Sequence, residues 1–114
     1  HKEIVKLLLN HPRIDVNVKD NTRGATALSY AVMDNQPEIV KILCEKRNAK
    51  GQRIVDVNTK GNGDTTPLIL AVNYGFTKFV RIFVVNGADI NAKDEEGGTP
   101  IQFATMEGHK DIIK

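Results

Sequence analysis

Apolar positions in this chain recur at helical spacing in short blocks, and the blocks come in pairs. Ile4, Val5, Leu7, Leu8 and Leu9 interleave with Lys2, Glu3 and Lys6, the pattern of an amphipathic helix with a broad apolar stripe. Asn10-His11-Pro12 ends it, because proline cannot continue a helix. Glu38-Ile39-Val40-Lys41-Ile42-Leu43-Cys44 repeats the pattern of Glu3-Ile4-Val5-Lys6-Leu7-Leu8-Leu9. Pro37 precedes it at a first helical position, where a missing N–H breaks no hydrogen bond, so a helix is predicted over 37–46. A shorter helix is predicted ahead of it over 27–33, with Thr26 as N-cap and Asp34-Asn35-Gln36 as the break. The next pair is predicted over 67–74 and 77–85, split by Gly75 and closed by Asn86-Gly87 as a left-handed C-cap would close it. A further first helix is predicted over 100–106, and Gly108-His109-Lys110-Asp111-Ile112-Ile113 begins another second helix.

The pairs are copies of one unit. Thr66-Pro67-Leu68 returns as Thr99-Pro100-Ile101, 33 residues on, and Asp15-Val16-Asn17 returns as Asp56-Val57-Asn58 and Asp89-Ile90-Asn91. The equivalent positions Glu3, Glu38, Lys78 and Asp111 lie 35, 40 and 33 residues apart. The surplus over 33 falls in loops, and seven residues of it lie between Cys44 and Asp56. Insertions confined to loops are what a stacked repeat tolerates. Helix pairs this short cannot bury their apolar faces alone, so neighbouring pairs must stack. Ala31, Ala71 and Ala104 then belong where first helices approach closely, and Ile39, Leu43, Phe79 and Phe83 between layers. The Asp and Asn of each Asp-Val-Asn copy are placed to bond nearby backbone amides. The stretch Arg47–Val55 reads as an irregular basic loop without a counterpart elsewhere in the chain.

These residues carry a resemblance. Thr66-Pro67-Leu68 with Ala71 and Gly75, then Asn86-Gly87-Ala88-Asp89-Ile90-Asn91-Ala92-Lys93-Asp94 with Gly97, then Thr99-Pro100-Ile101 with Ala104 and Gly108-His109, resemble an ankyrin-repeat array. Thr26-Ala27-Leu28 with Ala31 is a weaker copy. The family's histidine after Thr-Pro-Leu is replaced by Ser29, Ile69 and Gln102. The resemblance covers essentially the whole chain and implies an all-α fold. That fold is an ankyrin-repeat solenoid of stacked helix-turn-helix units with β-hairpin-like loops and partial repeats at both ends. Residues 1–114 then form a single ankyrin-repeat domain. Residues 1–17 hold the second helix and loop of a partial repeat, 18–58 a repeat with an insertion at 47–55, 59–91 the most regular repeat, and 92–114 a truncated one. Leu7, Leu8, Ile101, Phe103, Ile112 and Ile113 are expected near exposed apolar ends. The chain is accordingly expected to be part of a longer array, or to have its ends covered by a partner or a second copy.

Composition adds exclusions. The chain is 40% hydrophobic but only 5% aromatic, so its core is aliphatic. No apolar run reaches the length of a membrane span. The single Cys44 forbids an intrachain disulfide and suits a reducing, intracellular and cytoplasmic setting. Its place in the repeat is that of Leu9 and Val84, a buried apolar one. His1, His11 and His109 lack metal-ligand spacing. Gly61-Asn62-Gly63 lacks the Gly-Lys-Ser/Thr that completes a phosphate loop, and reads as a turn. No nucleophile–base or paired-acid constellation is present, so neither catalysis nor a cofactor is expected. Net charge is only +2, yet residues 41–60 carry six cations against two carboxylates, and residues 86–107 one cation against five. The basic stretch has no interleaved aromatics, so nucleic acid is not an expected partner.

By the resemblance, the chain is a protein–protein interaction scaffold that reads a protein partner with its hairpin tips and concave first-helix face. Carried over position by position, that surface is Asn21, Thr22, Arg23, Met33 and Asp34, then Asn62, Thr65, Asn73 and Tyr74, then Glu95, Glu96, Met106 and Glu107, with Ala25, Gly63 and Gly98 among them. Two alternatives stand beside it. One is self-association through uncapped ends or the 47–55 insertion; the other is a non-catalytic targeting segment of a larger enzyme. The resemblance also marks Asn17, with Leu9 eight residues earlier, as a hydroxylation position.

Overall fold

The computed structural model describes residues 1–107. It contains six helices: α1 (Lys2–Leu9), α2 (Ala27–Met33), α3 (Pro37–Glu45), α4 (Pro67–Tyr74), α5 (Thr77–Val85) and α6 (Pro100–Glu107). α2 pairs with α3, and α4 with α5. The first helices stack in the order α2, α4, α6, and the second helices in the order α1, α3, α5, giving two layers. No helix among the described residues is long and apolar enough to cross a membrane. The second helix expected after Gly108 lies outside the described residues, as do Ile112 and Ile113.

Local chemistry sets the helix ends. The Thr26 side chain accepts the Ser29 N–H, and Ser29 Oγ accepts the Thr26 N–H in return, a reciprocal cap that satisfies two orphan donors. Thr66 Oγ1 accepts the Ile69 N–H at 3.2 Å. At the third first helix, the Thr99 N–H donates to Gln102 Oε1 at 2.9 Å. Two of the three residues that replace the family's histidine thus bond back to the capping threonine, whereas Ile69 is buried instead. Gly75 ends α4 at φ 72°, a left-handed conformation that a side chain would strain.

The core follows the layers. Ala31, Ala71 and Ala104 are buried in the first-helix row, where small side chains let the helices close up. Leu43, Phe79 and Phe83 are buried as the repeat pattern demands. Ile39 is a correction: it is only half-buried, and its neighbour Val40 takes the inner place. The reason lies in the preceding loop. Phe79, at the same register as Ile39, is covered edge-on by Phe76, with ring centroids 5.5 Å apart. The residue equivalent to Phe76 is Gln36, which supplies no ring. Cys44 is 1% exposed, whereas Val84, its counterpart on α5, is 49% exposed.

At the two ends, Leu7, Leu8 and Ile101 are exposed, Leu7 by 73%. Phe103 is half-buried instead, because its ring lies over Gly98, 2.7 Å from where a Cβ would stand. The 47–55 insertion is more ordered than an irregular loop. Arg47 and Arg53 form an isolated antiparallel bridge. The Asn48 N–H donates to the Gln52 carbonyl at 2.8 Å, and Asn48 Oδ1 accepts the N–H groups of Lys50 and Gln52.

Candidate partner-binding surface

Two rows of hydrogen bonds join one repeat to the next. In the first, Asn17 Nδ2 donates to the Ile54 carbonyl at 2.9 Å and Asn17 Oδ1 accepts the Asp56 N–H at 2.8 Å. One repeat on, Asn58 Nδ2 donates to the Gly87 carbonyl at 3.3 Å and Asn58 Oδ1 accepts the Asp89 N–H at 2.7 Å. Each bond contributes about 0.5–1.5 kcal/mol net. Asn58→Ala is therefore expected to lower stability by about 1–3 kcal/mol, read from a denaturant midpoint at unchanged m-value.

The second row joins the tips. In the first tip, Asp20 Oδ1 accepts the N–H groups of Arg23 and Ala25 at 2.9 and 3.1 Å. In the third, Asp94 Oδ1 does the same for Glu96 and Gly98 at 3.0 and 2.9 Å. The middle tip has Gly61 in the aspartate's place and closes instead as a short 3-10 turn over Asn62–Asp64. Its lack of a side chain has a use: a Cβ on Gly61 would stand 3.1 Å from the Arg23 carbonyl. The Asn62 N–H donates to that carbonyl at 2.9 Å, and Asn62 Nδ2 to the Thr22 carbonyl at 3.0 Å. The Glu95 N–H then donates to the Gly63 carbonyl at 2.9 Å. The three tips form one bonded row rather than three independent loops.

Most of the sequence-predicted residues lie along this row and the helices behind it. Asn21, Thr22, Arg23, Asn62, Glu95 and Glu96 are exposed on the tips; Met33 and Thr65 are half-buried; Asp34, Asn73, Met106 and Glu107 are exposed toward the far ends of α2, α4 and α6. Arg23, Met33, Asn62 and Thr65 come together around one cavity of about 180 Å³ between the first two tips. Arg23 Nη1 lies 3.6 Å from Met33 Sδ. Glu96 and Met106 border a second, shallower basin of about 560 Å³. Ala25 is buried, so its side chain belongs to the core. Tyr74 stands apart. It ends α4, a rise of about 12 Å from the cap, and its ring packs on Phe76 at 5.4 Å.

Sequence reasoning missed Tyr30, Leu70 and Phe103. They occupy one register position, four residues after each capping threonine. Helical side chains tilt toward the N-terminus, so that position leans back toward its own tip. Leu70 lines the cavity and Phe103 the basin. The Tyr30 hydroxyl donates to Asp20 Oδ2.

That hydroxyl, helped by the Arg23 and Ala25 amides, lowers the Asp20 carboxyl to about 2, and the carboxylate in turn raises the Tyr30 phenol. A depressed carboxylate contributes order that is present above its ordinary pKa and is lost as pH falls through the folded value. The first tip is thus expected to hold down to about pH 4 and to loosen as pH falls toward 2. Tyr30→Phe should move the Asp20 carboxyl titration upward, toward the ordinary aspartate range, as followed by its carbon chemical shift. Cys44 offers no comparable chemistry, since burial pushes its thiol up to about 11. Among the described residues no group of three or more His, Cys, Asp or Glu is arranged to hold a metal ion.

Residues 52–104 match the family model of ankyrin repeats in many copies, and residues 1–54 that of ankyrin repeats in three copies. The chain is similar to a glycerophosphocholine phosphodiesterase of Candida albicans, 32% identical over 96% of this chain and 9% of that protein. It is 30% identical to an ankyrin repeat protein of Rickettsia bellii, over 96% of this chain and 47% of that one. An E3 ubiquitin-protein ligase of Arabidopsis thaliana is 29% identical over 90% of this chain and 6% of its own length. The chain spans less than a tenth of the first and third of these relatives, and about half of the second.

Proposed function

Because this chain belongs to the ankyrin-repeat family, whose repeats generally serve as protein–protein interaction modules, we propose that it binds a protein partner through its tips and first-helix face. The observation that carries this reading is the bonded row of tips with the cavity behind it. The partner-facing groups are exposed, while the backbone that presents them is held from repeat to repeat. Such preorganisation limits the ordering entropy lost on binding. The residues proposed to carry it are Asn21, Thr22, Arg23, Met33, Asp34, Asn62, Thr65, Asn73, Tyr74, Glu95, Glu96, Met106 and Glu107. Combining Tyr74→Ala with Glu95→Lys and Glu96→Lys is expected to reduce capture of the partner at least tenfold without changing the melt. Undiminished capture by a folded variant would move the interface elsewhere.

Exposed apolar side chains favour a second reading, self-association. Ile4, Leu7 and Leu8 lie on one face of α1 and are 54%, 73% and 55% exposed, and contiguous apolar patches bind other surfaces. A mass that rises with concentration and is lowered by Leu7→Glu would support self-association. The small share of the phosphodiesterase that the chain covers supports the related proposal of a non-catalytic targeting segment of a larger enzyme. The lone buried thiol fits an intracellular, cytoplasmic place for that work. Asn17, exposed and eight residues after Leu9, is proposed as a hydroxylation position. Gain of one oxygen mass in its peptide after treatment with an asparaginyl hydroxylase tests it, and an unshifted peptide removes it.

A further inference from the structure

The cavity between the first two tips is too small for a small-molecule ligand, whose sites occupy about 300–1,000 Å³; at about 180 Å³ it suits one side chain. Its lining has two characters. Met33 and Leu70 form an apolar wall, and methionine adapts to the shape it meets. Arg23 stands at the cavity with its guanidinium beside Met33 Sδ. Among the described residues the one ion pair is Lys2–Glu38, so Arg23 has no carboxylate within 4 Å. The nearest acid on its own tip, Asp20, is already engaged by the Tyr30 hydroxyl and the backbone N–H groups of Arg23 and Ala25. A planar fork of donors that lacks an anionic partner is built to take a carboxylate in a two-pronged contact.

The walls are fixed before anything binds. Asn62 ties the second tip to the Thr22 and Arg23 carbonyls. Gly24, at φ +62°, lies close against Asn62: an added Cβ would stand 3.1 Å from Asn62 Oδ1 and 3.2 Å from its backbone N, and the positive φ would strain it further. We propose that this cleft is a subsite for one aliphatic side chain of the partner, seated against Met33 and Leu70, with the carboxylate of a neighbouring acidic residue held outside it by the exposed Arg23. This rests on the reading of the tip-and-first-helix face as the partner surface, and it names the partner's chemistry there.

The chain has two methionines, Met33 and Met106, which makes the test direct. With both methyl groups labelled by carbon-13, the intact chain is titrated with acetyl-Ala-Leu-Glu-Ala-amide and with acetyl-Ala-Glu-Leu-Ala-amide. Matching peptides carry Gln for Glu. The Met33 methyl is expected to shift saturably with one of the two Glu peptides, and the Gln version to bind roughly fivefold more weakly, the scale of one exposed ion pair. Arg23→Gln should erase that difference. It leaves the Arg23 carbonyl that Asn62 uses, so the cleft is retained. A silent Met33, or equal response to Glu and Gln peptides, overturns the subsite. Movement of Met106 with Met33 silent overturns it too, while leaving the wider face as the partner surface. Failure of the wider reading shows separately, as undiminished partner capture by the folded variant that combines Tyr74→Ala with Glu95→Lys and Glu96→Lys.

Discussion

Phe83→Ala is expected to destabilise the chain by about 3–5 kcal/mol, the range for removing a fully buried ring. Phe83 is 0% exposed and belongs to the continuous core of the stack, together with Leu68, Val72 and Phe79. It lines none of the cavities around the core. The space left by the ring is surrounded by core side chains rather than opening on a groove that Phe83 itself borders, and closing it would require the packed rows to move. The loss should show as a lower denaturant midpoint in a single transition, because repeats joined by shared core and shared hydrogen bonds unfold together. A change below about 1 kcal/mol would mean that α5 is not packed between layers.

Leu43→Ala is expected to cost less, about 2–3 kcal/mol, although Leu43 is also buried. The difference comes from its surroundings. Leu43 borders a groove of about 270 Å³, shared with Val5, Leu9, Val16 and Ala27. Removing its branch opens that groove further instead of creating a sealed void, and α1 has room to settle inward. The order Phe83→Ala above Leu43→Ala is the sharper expectation, since the absolute values depend on how far each site relaxes. The reverse order would place the closed part of the core on the α1 side.

What the amino-acid sequence reveals here depends on whether side chains or backbone carry the feature. The helices are legible because their signals are local: Thr26 and Thr66 as caps, Pro37, Pro67 and Pro100 at helix starts, and Gly75 as a left-handed stop. The Asp-Val-Asn copies are legible because the same side-chain bonds recur at Asn17 and Asn58. The bonded row of tips is not. Its links run through the Arg23 and Gly63 carbonyls and the N–H groups of Asn62 and Glu95, and backbone groups leave no residue-type signature. The ordered insertion was hidden for a similar reason, since its closure combines backbone pairing with the short reach of Asn48. Ile39 reads as core by register alone. It is half-buried because Gln36 stands where Phe76 covers the next copy.

The candidate surface was partly legible on the same grounds. Positions outside the packing pattern can be listed from the repeat register, and four of them, Arg23, Met33, Asn62 and Thr65, meet at one cavity. The register could not show that Leu70 forms its wall, because Leu70 reads as one more apolar residue of α4. Nor could it show that Tyr74 turns to Phe76, a contact set by the α4–α5 loop. Charge also differs between the two ends of the row of tips. Glu95 and Glu96 lie on the third tip and Arg23 on the first, so a partner laid along the row meets opposite charges at its two ends. Such an arrangement favours one orientation of the partner and makes association dependent on salt.

The central claim is that the row of tips and the first helices behind it contact the partner. Hydrogen exchange on the chain alone and with its captured partner tests it most directly. The account predicts further slowing of exchange at the tip amides, around 21–23, 62–64 and 95–97, with the second helices α1, α3 and α5 unchanged. Protection confined to α1, α3 and α5 or to the 47–53 hairpin, with the tips exchanging as before, would contradict it.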